Sequence, residues 1–571
     1  MIETCALVNA DVRTLDPRSP RADSIAWRAG RILAVGARQE VEAALGAHAS
    51  IEDAGGRTVL PGFIDAHQHP CIVAIYGGAI RLSPPAVHDI PSLLAALREA
   101  AARAPAGEWI VAADWDELHL AERRKPTREE LDSALPDHPL LALHYSCHRA
   151  VANSRALALA GIDRHTPEPS GGTIGRGRGG EPDGLLIERG MSRVESLARA
   201  SLVARDAEAY FQRLRAHHEA LARVGITRVV DATVPTSLAA LYREAERGGH
   251  LLVPTVMLPV SDAGWLEEPL EVLDGPRTGE GSDLLSVGPV KLVFDGAPAC
   301  AMCIGWWQLA GSIVGSLAVM LRDRSLDSLR AMTSLAPRYG AKIRTGITIY
   351  PKEDADRVVR RIVERGFGVA THAVGNEAIA TALGAYEACG GRLGEAAIPR
   401  LEHAQFMDRA LIERVAASGA AVVTQPHFVS LPAFSSAPSI PGLKNGAVRW
   451  LLDAGVKVAG SSDFPVAGFD PLDGIRSAVT RRTARGYTLE EDQAVTLDEA
   501  IAMYTRVAAE VSGGLAVTGT LEPGKRADLV ILDGALDRST LADRRVETTV
   551  IGGRVAHGAR FSAGSGPGAS G

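Results

Sequence analysis

Two histidines separated by one residue are the most informative chemical feature of the sequence. His67 and His69 close the stretch Leu60-Pro-Gly-Phe-Ile-Asp-Ala-His-Gln-His-Pro70. Side chains two positions apart on a β-strand point to the same side, so both imidazoles would face one ligand. Two neutral imidazoles form half of a site for Zn²⁺ or a similar metal. The spacing alone is weak evidence, since 16 histidines in 571 residues give about half such a pair by chance. The preceding Pro-Gly turn and apolar run indicate the reactive end of a barrel strand.

A lysine lies inside another apolar strand. Lys291 is part of Gly288-Pro-Val-Lys-Leu-Val293, where an unmodified ammonium would be costly to bury. It either pairs with a carboxylate such as Asp295, forms a Schiff base, or is carboxylated by CO₂. A carbamate of this kind carries oxygens that can bridge two cations.

Three further side chains follow predicted strands. His372 ends the strand 368–371, and His403 lies in Pro399-Arg-Leu-Glu-His403. A lone histidine at a strand end is more often structural, but two in successive strand-helix units favour a ligand role. Asp463 follows Val458-Ala-Gly-Ser-Ser462. It either caps the next helix or takes a proton from a metal-bound water, whose pKa Zn²⁺ lowers towards ~7.

The composition excludes several classes of protein. The chain has 571 residues, 46% hydrophobic and 23% charged, with net charge −7. The absence of a basic block argues against a nucleic-acid partner. No run of about 18 apolar residues and no secretory signal are visible, so we expect no membrane segment and a cytoplasmic protein. Six scattered cysteines do not suggest a disulfide framework.

The alternation of strands and helices predicts the fold class. Apolar strands at 227–231, 290–294, 368–372, 420–424 and 456–460 alternate with helical stretches such as Asp354–Glu364 and Asn376–Ala388. This repetition favours an α/β fold with a (β/α)₈ TIM barrel. An open sheet is less favoured, because no Gly-x-Gly-x-x-Gly follows a strand.

The two ends of the chain have sequence patterns that are typical of short strands. These patterns predict one small β-sandwich domain built from both termini. We assign residues 1–60 and 491–560 to it, the latter with the last helix, and 61–490 to the barrel. A long segment at about 71–204 interrupts the alternation of strands and helices. It is predicted to be a subdomain inserted after the first barrel strand. We expect the Gly/Ser-rich 561–571 to be a disordered tail.

The order of these residues resembles the metal site of the amidohydrolase superfamily, and the flanking motifs resemble its amidohydrolase family 3, or YtcJ-like, branch. The resemblance runs from about residue 5 to 557. It rests on seven motifs: Asp16-Pro17…Arg21-Ala22-Asp23-Ser24, Leu60–His67, Asn153–Leu157, Val290–Gly296, Arg400–Gln405, Ser462–Val466 and Leu521–Leu529.

The resemblance implies a role for each residue. His67, His69, His372 and His403 would be metal ligands, Lys291 a carboxylated bridging ligand, and Asp463 a ligand and proton shuttle. The cofactor would be one or two Zn²⁺ ions per chain, with a binuclear site favoured. The implied reaction is hydrolysis of a non-peptide C–N bond in a small molecule, such as an amide, a cyclic amide or an N-substituted formamide. The metal would polarise the carbonyl while metal-bound hydroxide attacks it.

Candidates for substrate contact are weaker. The resemblance places Trp115, Asp116 and His148 in the insertion over the barrel mouth, where His148 would hydrogen-bond the scissile carbonyl oxygen. A structural role for His148 carries nearly equal weight. His427 and Trp306 are further candidates to line the site, although large aromatic residues are more often core. Cys300 and Cys303 form a Cys-x-x-Cys without a second pair, a weak indication of metal or redox chemistry.

Two alternatives stay open. One is an inactive barrel used as a binding or assembly module, although such relatives typically lose ligands and this chain keeps all six. The other is a Schiff-base enzyme using Lys291, which would leave four histidines and Asp463 without a shared purpose. A homodimer is the expected assembly.

Overall fold

Both ends of the chain contribute strands to one sheet. The computed structural model describes residues 4–45, 49–264, 266–296, 300–323, 337–435 and 439–559. The predicted tail 561–571 and residues 297–299 lie outside this part. A six-stranded sheet has the order Arg554–His557, Val546–Ile551, Leu529–Leu532, Thr58–Pro61, Asp11–Arg13 and Arg21–Ala22.

A second terminal sheet packs near the first. Its four strands have the order Arg31–Gly36, Ser24–Arg28, Thr4–Val8 and Ala49–Asp53. Side chains from both sheets, among them Leu7, Trp27, Val59 and Leu529, share one buried cluster. The apolar faces of the two sheets therefore bury each other.

Two parallel sheets occupy the middle of the chain. The first has the order Leu285–Val287, Thr255–Val260, Ile226–Pro235 and Phe63–Gln68. The second has the order Val290–Val293, Val369–Ala373, Arg400–His403, Ala421–Thr424 and Val458–Gly460. Nearly every residue of these strands is buried, as expected of parallel strands covered on both faces. The α/β prediction is confirmed.

The two parallel sheets meet at both edges. At one edge, the Asp463 N–H donates to the His67 carbonyl at 2.9 Å. At the other, strand Thr255–Val260 contacts strand Val290–Val293. No strand ladder closes the two sheets into one within the described residues.

Helices follow most parallel strands and cover them. They are Ala207–Arg223, Thr236–Arg247, Lys352–Glu364, Asn376–Cys389, Arg409–Ser418, Val448–Asp453, Pro471–Thr480, Leu497–Met503 and Arg506–Val511. Lys352–Glu364 shows the pattern: Ala355, Val358, Val359 and Ile362 are buried at helical spacing, and charged side chains face outward. None of the helices in the described part of the chain is long and apolar enough to cross a membrane.

The segment between the strands Phe63–Gln68 and Ile226–Pro235 builds its own sheet. Its strand order is Gly172–Arg176, Pro182–Glu188, Arg149–Ala152, Leu140–His144, Ile110–Trp115 and Ile80–Arg81. Helices Pro70–Tyr76, Ile90–Ala101, Arg128–Ala134, Ser154–Leu159 and Ser192–Arg205 accompany it. Side-chain caps mark where helices begin, for example Asp89 accepting from the Ser92 N–H. A further short hairpin, Met302–Ile304 with Ile343–Thr345, flanks the helix Trp306–Asp323.

Candidate metal centre

The carboxyl ends of the parallel strands surround one buried cavity of about 80 Å³. Its polar lining includes seven side chains that the sequence singled out: His67, His69, His148, Lys291, His372, His403 and Asp463. Six of them lie on or just after parallel strands, which explains why they meet although they span residues 67 to 463. His148 is the exception.

His67 is held from below by a carboxylate. Its Nδ1–H donates to Glu402 Oε2 at 2.6 Å, and the other ring nitrogen lies 3.2 Å from Asp463 Oδ1. Glu402 also accepts from the Arg400 guanidinium at 2.8 Å. Burial opposes the charge on Glu402, but Arg400 and His67 outweigh it and keep its pKa well below the usual range. Nε2 of His67 is therefore the nitrogen left for a ligand.

His403 is oriented in the same manner. The Nδ1–H of His403 donates to Gln425 Oε1 at 2.8 Å, which leaves Nε2 free. His372 differs, because its Nε2 lies 3.6 Å from Asp295 Oδ1, beyond hydrogen-bond distance. Burial lowers the pKa of His403 to about 3 and that of His372 well below its usual value, so both rings are neutral.

Asp463 lies between the two histidines of the opening pair. Its Oδ1 is 3.0 Å from His69 Nε2 and 3.2 Å from His67 Nε2. Burial would raise the pKa of Asp463, but the hydrogen bonds from His67 and His69 bring it well below its usual range. Asp463 has φ +59° and His403 has φ +70°, a conformation that non-glycine residues rarely adopt. Such strain is concentrated at functional sites.

Lys291 is buried and has no ion pair or hydrogen bond to a side chain within the described residues. The pairing with Asp295 that the sequence left open is not formed. Instead, Asp295 accepts backbone hydrogen bonds from Ala301, Val374 and Gly375. Burial lowers the pKa of Lys291 to about 8, which raises the fraction of neutral amine.

His148 reaches the same cavity from the inserted sheet. Its Nδ1–H donates to Glu188, with 3.0 Å to Oε2. Burial would lower the pKa of His148, but the charge of Glu188 outweighs it and the pKa is raised. The His148 and His372 ring centroids are 5.8 Å apart.

The rest of the cavity wall is mostly apolar. Strand ends and the insertion supply Ile72, Tyr76, Leu143, Met191, Val293, Pro465 and Val466. Glu195 also lines it, but its carboxylate accepts from the Tyr76 hydroxyl at 2.5 Å and from Arg199. The wall therefore suits an apolar group beside the polar centre.

Four sequence candidates do not line this cavity. Trp115 is buried under His144 and donates to the Ala142 carbonyl. His427 Nε2 lies 3.0 Å from the Asp470 carbonyl oxygen. Trp306 is 52% exposed and stacks on Tyr339. Their role in substrate binding stays a prediction that the cavity does not support.

Asp116, the fourth, belongs to a separate group with Glu117 and His144 whose ligand atoms lie within 4.8 Å of one another. The Arg149 guanidinium already occupies this group, at 2.8 Å from both Glu117 Oε1 and His144 Nε2. A cation would have to displace it.

Several side chains of the site were missed from the sequence. Glu402 had a usable signal, because Arg400-x-Glu402-His403 puts two charges in a buried strand beside a candidate ligand. Gln425 follows a buried strand in the same way. Glu188 had no local signal, since it lies 40 residues from His148 and meets it only through the inserted sheet.

The family model of the amidohydrolase family matches residues 50–557 of the chain. The chain belongs to the amidohydrolase family, and it is a hydrolase of C–N bonds other than peptide bonds.

Among curated relatives, it is 33% identical over 535 residues to an N-substituted formamide deformylase of Arthrobacter pascens, covering 92% of this chain and 93% of the relative. It is 27% identical to the putative amidohydrolase YtcJ of Bacillus subtilis, covering 96% and 98%. A solved metal-dependent hydrolase of Pyrococcus horikoshii has the same fold, with TM-score 0.67, 22% identity, and coverage of 93% and 98%.

Proposed function

We propose that this chain hydrolyses the C–N bond of a small N-substituted amide, with an N-substituted formamide as the first candidate, at a site for one or two Zn²⁺ ions. The observation that carries the proposal is the convergence of six ligand-type side chains on one buried cavity. The proposed ligands are His67, His69, Lys291, His372, His403 and Asp463.

The donor set fits a divalent metal. His67, His69 and Asp463 have ligand atoms within 4.8 Å of one another. Nδ1 of His69 and Nε2 of His372 are buried without a hydrogen-bond partner in the described part of the chain, a costly state for a ring with no further function. Neutral imidazoles and an ionised carboxylate are the forms that bind Zn²⁺.

Carboxylation of Lys291 would complete the set. The neutral amine adds to CO₂, forming an N–C bond and releasing one proton, and the product is a carbamate anion. The lowered pKa of Lys291 supports this step, because it increases the amount of free amine near neutral pH. The carbamate would supply two oxygens between the imidazoles.

The protein's own groups then have distinct roles. A bound Zn²⁺ would polarise the carbonyl and acidify water. Asp463, an ionised carboxylate at the cavity wall, would take a proton from the attacking water and pass it to the leaving nitrogen. His148, with Nδ1 on Glu188, would present Nε2–H to the carbonyl oxygen as negative charge develops there.

The apolar wall supports an apolar nitrogen substituent. The 33% identical relative is named for N-substituted formamides, whose acyl group is a single carbon. A cavity of about 80 Å³ would accept such a small acyl group at the polar end, with the nitrogen substituent against Ile72, Leu143 and Met191.

We infer that the two parallel sheets are arcs of one (β/α)₈ barrel. The hydrogen bond at one edge and the contact between strands at the other support closure. The proposed domain bounds stay those drawn from the sequence: a barrel at 61–490 with an insertion at about 71–204, and a β-sandwich from 1–60 and 491–560.

Metal analysis and a substrate screen test the proposal. We expect protein purified without chelator to hold one to two divalent ions per chain, and to release formate from N-substituted formamides. Lys291→Ala should lose metal and activity together, with partial rescue by short carboxylic acids. Lys457→Ala, at an exposed lysine paired with Glu510, is the matched control and should keep both. A wild type that binds no divalent metal when offered Zn²⁺ would overturn the proposal.

A further inference from the structure

The backbone at Asp463 depends on a neighbouring strand end. Asp463 follows the strand Val458–Gly460 and has φ +59°, a conformation that costs energy for a non-glycine residue. Its N–H donates to the His67 carbonyl at 2.9 Å. In the other direction, the His69 N–H donates to the Phe464 carbonyl at 3.1 Å. The chain around the two histidines and the chain around Asp463 are therefore joined on both sides of the ligand residues.

A buried carboxylate that the proposed mechanism does not use lies at this junction. Asp65 is 1% exposed. Ser462 gives it two hydrogen bonds, one from its N–H to Oδ1 at 3.0 Å and one from its hydroxyl to Oδ2 at 2.5 Å. The same Ser462 oxygen accepts the Phe464 N–H at 3.1 Å. Asp65 therefore fixes the residue before Asp463 and, through that residue, the one after it.

The other two hydrogen bonds of Asp65 fix the strand that leads to the ligands. The His67 N–H donates to Oδ1 at 3.3 Å, and the Gln68 amide donates to Oδ2 at 2.9 Å. All four groups at Asp65 are donors, so its carboxylate is used as an acceptor throughout. Asp65 does not line the cavity, so any effect it has on the chemistry passes through its neighbours.

The helix Ala207–Arg223 supports the same junction from outside. His217 Nε2–H donates to Gln68 Oε1 at 2.7 Å, and its ring stacks on Phe464 with the centroids 5.4 Å apart. One side chain thus contacts both strand ends, next to the histidine pair and next to Asp463. Displacement of either end would break one of these contacts, so the network resists movement of one end relative to the other.

We propose that Asp65 is a positioning residue for Asp463 and acts through Ser462. It keeps the Asp463 carboxylate between His67 and His69. Its effect on the reaction rests on the proposed function, in which Asp463 moves the proton. Asp463 Oδ1 lies 3.0 Å from His69 Nε2 and 3.2 Å from His67 Nε2. A shift of about 1 Å would take it out of hydrogen-bond distance, and misplacement of this size can cost about 100-fold in rate.

Crystal structures of the metal-free variants test the geometry. Ser462→Ala removes the hydroxyl, and Asp65→Asn puts an amide N–H₂ group where an acceptor is needed. In both variants the Asp463 carboxylate should move beyond hydrogen-bond distance of the paired imidazoles. Ser462→Thr keeps the hydroxyl and should leave the carboxylate in place. An unmoved Asp463 in either Ser462→Ala or Asp65→Asn would overturn the proposal.

Ser154→Ala is the matched control. Ser154 gives Asp132 the same pair of hydrogen bonds, from its N–H at 2.8 Å and from its hydroxyl at 2.6 Å. It begins the helix Ser154–Leu159, which does not line the cavity. The control should therefore keep the wild-type kcat and the wild-type position of Asp463. A shift of Asp463 in this control as well would make the effect a general loss of packing and overturn the assignment.

Kinetics and Co²⁺ spectroscopy test the consequence in the metal-loaded chain. With an N-substituted formamide, Ser462→Ala and Asp65→Asn should lower kcat on the order of 10- to 100-fold and leave KM within about twofold. Ser462→Thr should recover most of the loss. The absorption bands of bound Co²⁺ should shift in Ser462→Ala and not in Ser462→Thr. A wild-type kcat in Ser462→Ala would overturn the proposal. If the wild type hydrolyses no C–N bond, the proposed function fails, and the position of Asp463 in the metal-free crystals still decides whether Asp65 positions it.

Discussion

Two imidazoles of the cavity are aimed by hydrogen bonds to residues beneath them. Glu402 fixes His67, and Gln425 fixes His403. Gln425 is itself fixed, because its amide donates to Ser461 Oγ at 3.0 Å. Each ring thus keeps one nitrogen for a ligand without losing conformational entropy at the moment of binding.

Glu188 is the residue that most clearly positions another. It is buried in a strained conformation, with φ +50° and ψ −127°. A Cβ at position 296 would lie 2.0 Å from Glu188 Oε1. Glycine at 296 is therefore required for the Glu188 carboxylate to occupy its position. The surrounding structure maintains this strained backbone, and the result is that the Glu188 carboxylate holds His148.

We therefore expect Glu188→Gln to lower kcat on the order of 10- to 100-fold while the metal content stays unchanged. The neutral amide would still accept from His148 but would no longer favour its protonated form. Steady-state kinetics with parallel metal analysis would measure both. Glu181→Gln, an exposed neighbour on the same hairpin, is the control. Equal loss of metal and activity would make Glu188 a support of the metal centre instead.

At this scale the sequence located candidate ligands but not the residues that orient them. His67, His69, His372, His403 and Asp463 each follow or end an apolar strand, and parallel strands end on one side of a sheet. Glu188 has no such rule, because its contact with His148 depends on the geometry of the insertion, which the local pattern does not encode.

Among the elements, the buried parallel strands were the best predicted. The strands 369–373 and 421–424, which the sequence predicted, are buried along their whole length. The helix Trp306–Asp323 shows the limit. Trp306 was a candidate to line the site, whereas its side chain is 52% exposed and stacks on Tyr339.

The helix Ala207–Arg223 contains a histidine that couples stability to pH. His218 Nδ1 accepts the backbone N–H groups of Leu252 at 3.3 Å and Val253 at 3.1 Å, so a neutral ring ties the helix to the loop before strand Thr255–Val260. Burial lowers the pKa of His218 to about 3. The unfolded chain, with a pKa near 6.5, therefore takes up the proton first.

Consequently, the free energy of unfolding should fall as pH drops from about 6.5 towards 3, by about 1.4 kcal/mol per pH unit for this group. His218→Asn keeps an acceptor and removes the titration. It should reduce the loss of stability between pH 6.5 and about pH 5 by about 2 kcal/mol. Denaturant unfolding at the two pH values measures this, with exposed His165→Asn as the control. An identical pH dependence in both variants would contradict the assignment.

On the scale of the whole molecule, the two chain ends are part of the same packing as the site. Leu529–Leu532 pairs with Thr58–Pro61, and the next strand, Phe63–Gln68, contains His67 and is followed by His69. Val530 and Phe63 belong to one buried cluster. Pairing of residues about 470 positions apart follows no local pattern, although strand-rich composition at both ends predicted it in outline.

This shared core makes the C-terminal strand a determinant of the metal centre. A Cβ at Gly225 would lie 2.6 Å from Val530 Cγ1 and 2.9 Å from Phe63 Cδ2, so these groups are closely packed. We expect Val530→Asp to cost more than about 3 kcal/mol, because it buries an unpaired charge. Since strand Phe63–Gln68 rests on this core, the variant should lose bound metal and unfold in one transition at lower temperature. Calorimetry with metal analysis is the measurement, and Val555→Asp, on the less buried edge strand, should show a much smaller effect. Two separate transitions, with the metal retained through the first, would show instead that the terminal sheets unfold independently of the site.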